Sequence, residues 1–165
     1  MIIVSQTLDS ESLIAVTAQK GLRLPARSSS MGRVMLAFAA KEEQARILRA
    51  PYPRTEFLPR FTRVQLLRRL LRVRDRRYDH SQSESEVGVN GLAAAILDSN
   101  LNLVAIVGVI GTARQIGDNP DPKLIDVVLR CASTISTTLN ARLQTQQCAQ
   151  LTYATDPAQR PGGPP

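Results

Sequence analysis

Apolar positions along this 165-residue chain recur with two different periods, and the switches between them mark out its elements. Residues 2–7 and 12–18 are short segments rich in apolar and β-branched side chains. Leu8, Asp9, Ser10 and Glu11 separate them, so they read as a hairpin or two neighbouring strands. Gly21 and Pro25 bracket an extended passage, with Pro25 disfavouring helix at Leu24. Ser28, Ser29 and Ser30 offer N-cap hydroxyls ahead of MGRVMLAFAA, so a helix begins near Ser29. KEEQARILRA predicts a second short helix stopped by Pro51 and Pro53, and residues 54–61 read as a loop.

A third helix begins near Thr62, in TRVQLLRRLLRVRDRR. Val64, Leu67 and Leu71 form its apolar stripe, broadened by Leu66, Leu70 and Val73, and arginines fill the other face. Residues 78–86 are polar. GVNGLAAAILD and LVAIVGVIG then read as two strands joined by an Asp-Ser-Asn turn, apolar enough to lie buried on both faces in mid-sheet. Asp121 and Pro122 start a last helix running to about Gln147, with a core stripe of Leu124, Val128, Ala132, Ile135, Leu139 and Leu143. Residues 148–165, rich in Pro and Gly towards their end, read as a disordered tail, and 1–147 as one domain. The segregated order of strands, helices, strands and helix predicts an α/β arrangement of the α+β kind, a largely antiparallel sheet covered by helices.

Composition narrows the function. Aromatic residues make up only 4% and Trp is absent, which disfavours a base-stacking platform. The net charge of +7 is concentrated between Arg54 and Arg77, so it belongs to one element. Cys131 and Cys148 lack metal-ligand spacing and a His cluster, which argues against a metal site or a disulfide framework and points to a reducing, cytoplasmic setting. No apolar run reaches bilayer length, and the N-terminus lacks the pattern of a signal peptide.

The serine loop carries the most chemistry. The first turn of a helix leaves backbone N–H groups without internal partners, a ready seat for a carboxylate or phosphate. An ordinary structural cap is the plain alternative. His80, the only histidine, has Asp79, Ser81, Ser83 and Glu84 close in sequence, but no GxSxG elbow accompanies it, so no catalytic residue is assigned. Gly108 and Gly111 fit no phosphate-loop spacing. Arg68, Arg69, Arg72, Arg74, Arg76 and Arg77 could neutralise nucleic-acid phosphates, although a solvated helix face explains them and no DNA-reading motif accompanies them.

Four segments, GLRLPARSSSMGRVMLAFAA, LLRRLLRVRDRRYD, EVGVNGLAAAILDSNLNLVAIVGVIG and LIDVVLRCASTISTTLNARL, together resemble the effector-binding domain of the isocitrate lyase regulator (IclR) family of bacterial transcription factors. The similarity covers residues 2–143. It implies a GAF-like antiparallel sheet flanked by helices, a small organic acid as effector, no cofactor, no metal and no membrane. It also implies a homodimer or homotetramer that reaches DNA through a helix-turn-helix. That element and the first strand would precede Met1, so the chain would be a fragment or truncated product, or else a stand-alone binding or dimerising module. A small-molecule enzyme using the same pocket is the alternative from another class.

Carried onto this chain, the resemblance places the family's carboxylate-binding backbone at Ser30 and Met31, between Ser29 and Gly32. The family's acidic side chain falls at Ser81, its cysteine at Gly91, its two serines at Gly108 and Ile110, and its apolar wall at Leu13, Val16, Leu24 and Val89. These replacements disfavour a glyoxylate- or pyruvate-type effector. The loop looks closest to regulators of protocatechuate and hydroxybenzoate catabolism, so a larger, flatter acid is expected in a pocket widened at Gly91 and Gly108, with Arg23 or Arg27 as a carboxylate partner.

Overall fold

The computed structural model describes residues 16, 21, 23–51 and 61–155, with side chains through residue 143 and at residue 145. The expected strands at 2–7 and 12–18 lie outside the described residues, Val16 aside. Helix α1 (Ser30–Phe38) starts where the serines predict. Ser29 is extended, and its hydroxyl accepts the Gly32 N–H at 3.0 Å while donating to the Pro25 carbonyl at 2.7 Å. Helix α2 (Lys41–Arg49) follows after two residues. Helix α3 (Arg63–Arg76) opens on a capping box in which Thr62 and Gln65 satisfy each other's backbone N–H groups. Arg77, left-handed at φ 66°, ends it.

Three strands, β1 (Tyr78–Gln82), β2 (Val89–Leu97) and β3 (Leu103–Thr112), form an antiparallel sheet in chain order. Asp98 shapes the β2–β3 turn by accepting the N–H groups of Asn100 and Asn102 at 2.9 and 2.7 Å. Helix α4 (Pro122–Thr155) begins where Asp121 accepts the Lys123 N–H at 2.8 Å. It ends eight residues beyond the predicted Gln147, because no Gly or Pro interrupts the chain before Pro157. Residues 156–165 lie outside the described residues.

Strand β2 is the centre of the molecule, and its alternating faces are buried by different layers. Ala93, Ala95 and Leu97 pack against Val34, Leu36 and Ala37 of α1 and Leu66, Leu70 and Val73 of α3. Leu92, Ala94 and Ile96 pack against Val128 and Ala132 of α4. This gives a helix–sheet–helix sandwich, with α1 lying over the rows Asp79–Ala93–Gly108 and Ser81–Gly91–Ile110.

Three expectations are corrected. In α3 the buried stripe is Leu66, Leu70 and Val73, while Val64 and Leu71 are exposed. Both registers satisfy a helical period, and only packing against α1 selects one. Residues 78–82, polar in sequence, form the strand that the resemblance has the arginine-rich helix entering. Strand β3 is flanked among the described residues by β2 alone, so Val104 and Ala105 are exposed rather than buried on both faces. In α4 the stripe is buried only at Val128 and Ala132, and Ile135 and Leu143 face outwards. Among the described residues, no helix is long and apolar enough to cross a membrane.

Candidate functional site

The start of α1 has the geometry of an anion seat. The N–H groups of Ser29, Gly32 and Arg33 are satisfied by the Pro25 carbonyl, the Ser29 hydroxyl and the Ser29 carbonyl. Those of Ser30 and Met31 have no partner among the described residues. They are the orphan donors of the first turn, where the helix dipole also favours negative charge. Gly32 makes the close approach feasible: a Cβ there would lie 2.4 Å from the Pro25 carbonyl oxygen and 2.7 Å from Ala26 Cα.

Two hydroxyls converge beside those donors. A Cβ placed on Gly91 would stand 3.0 Å from Ser30 Oγ, 3.1 Å from Ser81 Oγ and 3.5 Å from Ile110 Cγ2. Ser30 and Ser81 are only 3% and 6% exposed, and neither hydroxyl makes a hydrogen bond among the described residues. Ser30, Ser81, Gly91 and Ile110, distant in sequence, therefore meet at one point. A Cβ on Gly108 would come within 2.8 Å of Met31 Cε and 2.7 Å of the Leu92 carbonyl, so Met31 packs directly on that glycine.

This corrects the widened-pocket expectation, because the space freed at Gly91 and Gly108 is taken up by Ser30, Ser81 and Met31. Val89 is half-buried on the Gly91 side of β2, and Val16 and Leu24 are half-buried, while Leu13 lies outside the described residues. Arg27 turns elsewhere, donating to the Ala50 and Pro51 carbonyls at 2.7 and 2.8 Å, and Arg23 is exposed. An open hollow of about 720 Å³ along α2, between Lys41, Glu42 and Arg49, is lined by one helix and does not include the serines. Among the described residues, no group of His, Cys, Asp and Glu could hold a metal ion.

Beneath the serines lies a buried charge cluster that the sequence did not disclose. Arg33 is wholly buried and meets the Asp79 carboxylate at 2.5 Å, Glu84 at 2.5 Å and the carbonyls of Arg27 and His80 at 3.1 and 2.9 Å. Arg69 reaches Asp79 at 3.1 Å, Glu84 at 3.5 Å and the His80 carbonyl. Arg76 donates to Asp79 at 2.8 Å. Phe61 lies under both Arg33 and Arg69, with its ring centre 5.8 and 4.9 Å from their guanidinium carbons. Two arginines expected on a solvated face of α3 thus point inwards. The one available signal was the alternation of Asp79 and Ser81 in an otherwise polar stretch.

His80 points to the opposite side of β1, with its ring 3.3 Å from the Gln82 amide nitrogen. Burial first, and then the positive charge of Arg69, hold its pKa below the ordinary histidine value. Its protonation therefore favours the unfolded chain. Stability contributed by neutral His80 is complete above about pH 6.5 and is lost as pH falls towards the depressed folded value. The melting temperature of the wild-type domain should drop between pH 7 and pH 5.5, and a His80→Gln variant should show a shallower drop. Equal slopes would remove His80 from the cause.

The sequence profile described as "Bacterial transcriptional regulator IclR C-terminal" matches residues 1–137. Among curated relatives, the HTH-type transcriptional repressor AllR of Salmonella typhi is 30% identical over 138 residues, covering 80% of this chain and 49% of that protein. The uncharacterized HTH-type transcriptional regulator RhmR of Escherichia coli K12 is 27% identical over 134 residues, covering 78% and 50%. The chain spans about half the length of these relatives. Among solved structures, a transcriptional regulator of Rhodococcus sp. RHA1 superposes with TM-score 0.75 at 27% identity, covering 85% of this chain and 57% of that one. An IclR homolog of Microbacterium hydrocarbonoxydans, crystallised with 4-hydroxybenzoate, shares the fold with TM-score 0.68 at 23% identity, covering 79% and 52%. These matches do not single out the aromatic-acid branch. With its α+β architecture and a profile match over most of its length, this chain belongs to the family of bacterial IclR transcriptional-regulator C-terminal domains.

Proposed function

We propose that this chain is the part of an IclR-type regulator that senses a small organic acid, with the acid's carboxylate seated on the N–H groups of Ser30 and Met31. The observation carrying this reading is the convergence on Gly91 of the hydroxyls of two buried residues, Ser30 and Ser81, at the start of the helix whose Ser30 and Met31 N–H groups have no partner among the described residues. Two hydroxyls and the open N–H groups of a helix start are donors that suit a carboxylate, and hydrogen bonds to a charged group are the strong ones. Occupancy would shift the population of an oligomer carrying helix-turn-helix elements, and so alter transcription. The exposed Val127, Ile135 and Leu143 along α4 are consistent with self-association as a homodimer or homotetramer.

Thermal-shift measurements over keto, aliphatic and aromatic acids test this directly. A bound acid at a hundredfold excess over its Kd should add about 2.7 kcal/mol to native-state stability. The variants Ser30→Ala and Ser81→Ala should each weaken the best acid about tenfold or more, in keeping with the loss of a charge-assisted hydrogen bond. A melting temperature unmoved by every acid in the panel would refute acid sensing.

A further inference from the structure

The serines close the floor of the acid seat, and its side is less enclosed. Ser30, Ser81 and Gly91 are buried, whereas Met31, Gly108 and Ile110 beside them are only partly buried. In the sheet, Ile110 stands opposite Gly91 and Gly108 opposite Ala93. Two residues apart on β3, Gly108 and Ile110 share a face and lie about 7 Å from each other. Ile110 Cγ2 comes within 3.5 Å of a Cβ placed on Gly91, so this face of β3 continues the seat.

Gly108 leaves a hollow on that face. The sheet itself requires the glycine, since a Cβ there would lie 2.7 Å from the Leu92 carbonyl oxygen and 3.2 Å from Ala93 Cα. Met31 Cε rests in the hollow, 2.8 Å from the same point. Met31 thus contributes twice. Its main-chain N–H is one of the two open donors of the helix start, while its side chain reaches from the first turn of α1 across to β3 and packs against the α1–α3 core. A methionine side chain is unbranched and turns about each of its bonds, so it fills an irregular gap and can also leave it.

We infer that the Met31 side chain is the specificity-determining wall of the acid seat: resting on Gly108, it admits a short aliphatic carboxylate and fills the space that a ring would need. This rests on the acid-sensing reading above and adds to it a substrate class. An acid whose carboxylate sits on the Ser30 and Met31 N–H groups cannot extend into the floor, which the two serines close at Gly91. Its body runs instead over Ile110 towards Gly108. That is the space Met31 holds. Every residue but proline keeps the main-chain N–H, so exchanging this side chain changes the wall and spares the seat.

The test compares propionate with benzoate, which share a carboxylate and differ in size, by calorimetric titration of the whole chain. Wild-type protein should bind propionate the more tightly. Met31→Ala should tighten benzoate at least about tenfold, the scale on which an apolar pocket tells ligands apart by one methylene, while propionate stays within about threefold. Met31→Leu, similar in volume, should keep the wild-type ratio. An unchanged ratio in Met31→Ala, with or without a lowered melting temperature, overturns the inference, makes Met31 a filler of the core and leaves acid sensing intact. A wild-type preference for benzoate also overturns it. If Met31→Ala does not fold, Met31→Val decides: a benzoate-to-propionate affinity ratio above that of wild type supports the inference and an unchanged ratio overturns it. Failure of both acids to bind either protein overturns the inference, and failure of the whole acid panel overturns with it the reading on which it stands.

Discussion

Replacing Asp79 with alanine should lower the unfolding free energy of the domain by about 3–5 kcal/mol, the cost typical of leaving a buried charge without its partner. Asp79 is fully buried and is the one carboxylate that Arg33, Arg69 and Arg76 all contact. Its removal leaves Arg33, itself fully buried, with Glu84 as its one countercharge among the described residues, met at 2.5 Å by an oxygen that makes no hydrogen bond in that geometry. Denaturant titration measures the loss. A change below about 1 kcal/mol would mean that the cluster is hydrated in solution, since exposed ion pairs contribute no more than that. The conservative Asp79→Asn keeps the shape and should fall between the two, because the amide still accepts from an arginine while its charge is gone.

The second large effect runs against the usual sign. Exchanging a helical glycine for alanine ordinarily stabilises by about 1 kcal/mol. Gly32→Ala in α1 should instead destabilise by about 1–3 kcal/mol, because the added Cβ overlaps main chain that cannot turn aside. It would fall 2.4 Å from the Pro25 carbonyl oxygen, 2.7 Å from Ala26 Cα and 2.7 Å from Ser29 Oγ. The loop from Pro25 to Ser29 must move, and with it the N-cap that aims the Ser30 and Met31 N–H groups. A lowered melting temperature together with lost acid binding is the expected pair of outcomes. A stabilised variant would show that the loop lies farther from the helix than the structure has it.

Much of this protein was legible without coordinates. The serines ahead of MGRVMLAFAA predicted a capped helix start, and the structure places Ser29 as that cap, for the local reason that a hydroxyl meets the N–H three residues on. The apolar runs predicted β2 and β3, the Asp-Ser-Asn turn their connection, and Asp121-Pro122 the start of α4. The resemblance grouped Ser30, Ser81, Gly91 and Ile110, and the structure brings all four to one point.

Other features required the third dimension. Strand β1 carried no apolar pattern of its own, because its inward residues are Asp79 and Ser81, so its alternation is real while its hydrophobic contrast is inverted; only the resemblance had the arginine-rich helix leading into a strand. The α3 stripe had two registers of similar quality, and packing on α1 chose the one that turns Arg69 and Arg76 inwards. Gly91 and Gly108 looked like added room, yet the distances show neighbours already filling it. The sequence by itself determined the local events, namely caps, turns, breakers and the central apolar strand, because their causes act within a few residues. Only the tertiary structure decided which polar groups are buried together, because a buried charge is tolerated solely by partners that distant segments bring to it, and no local pattern encodes their arrival.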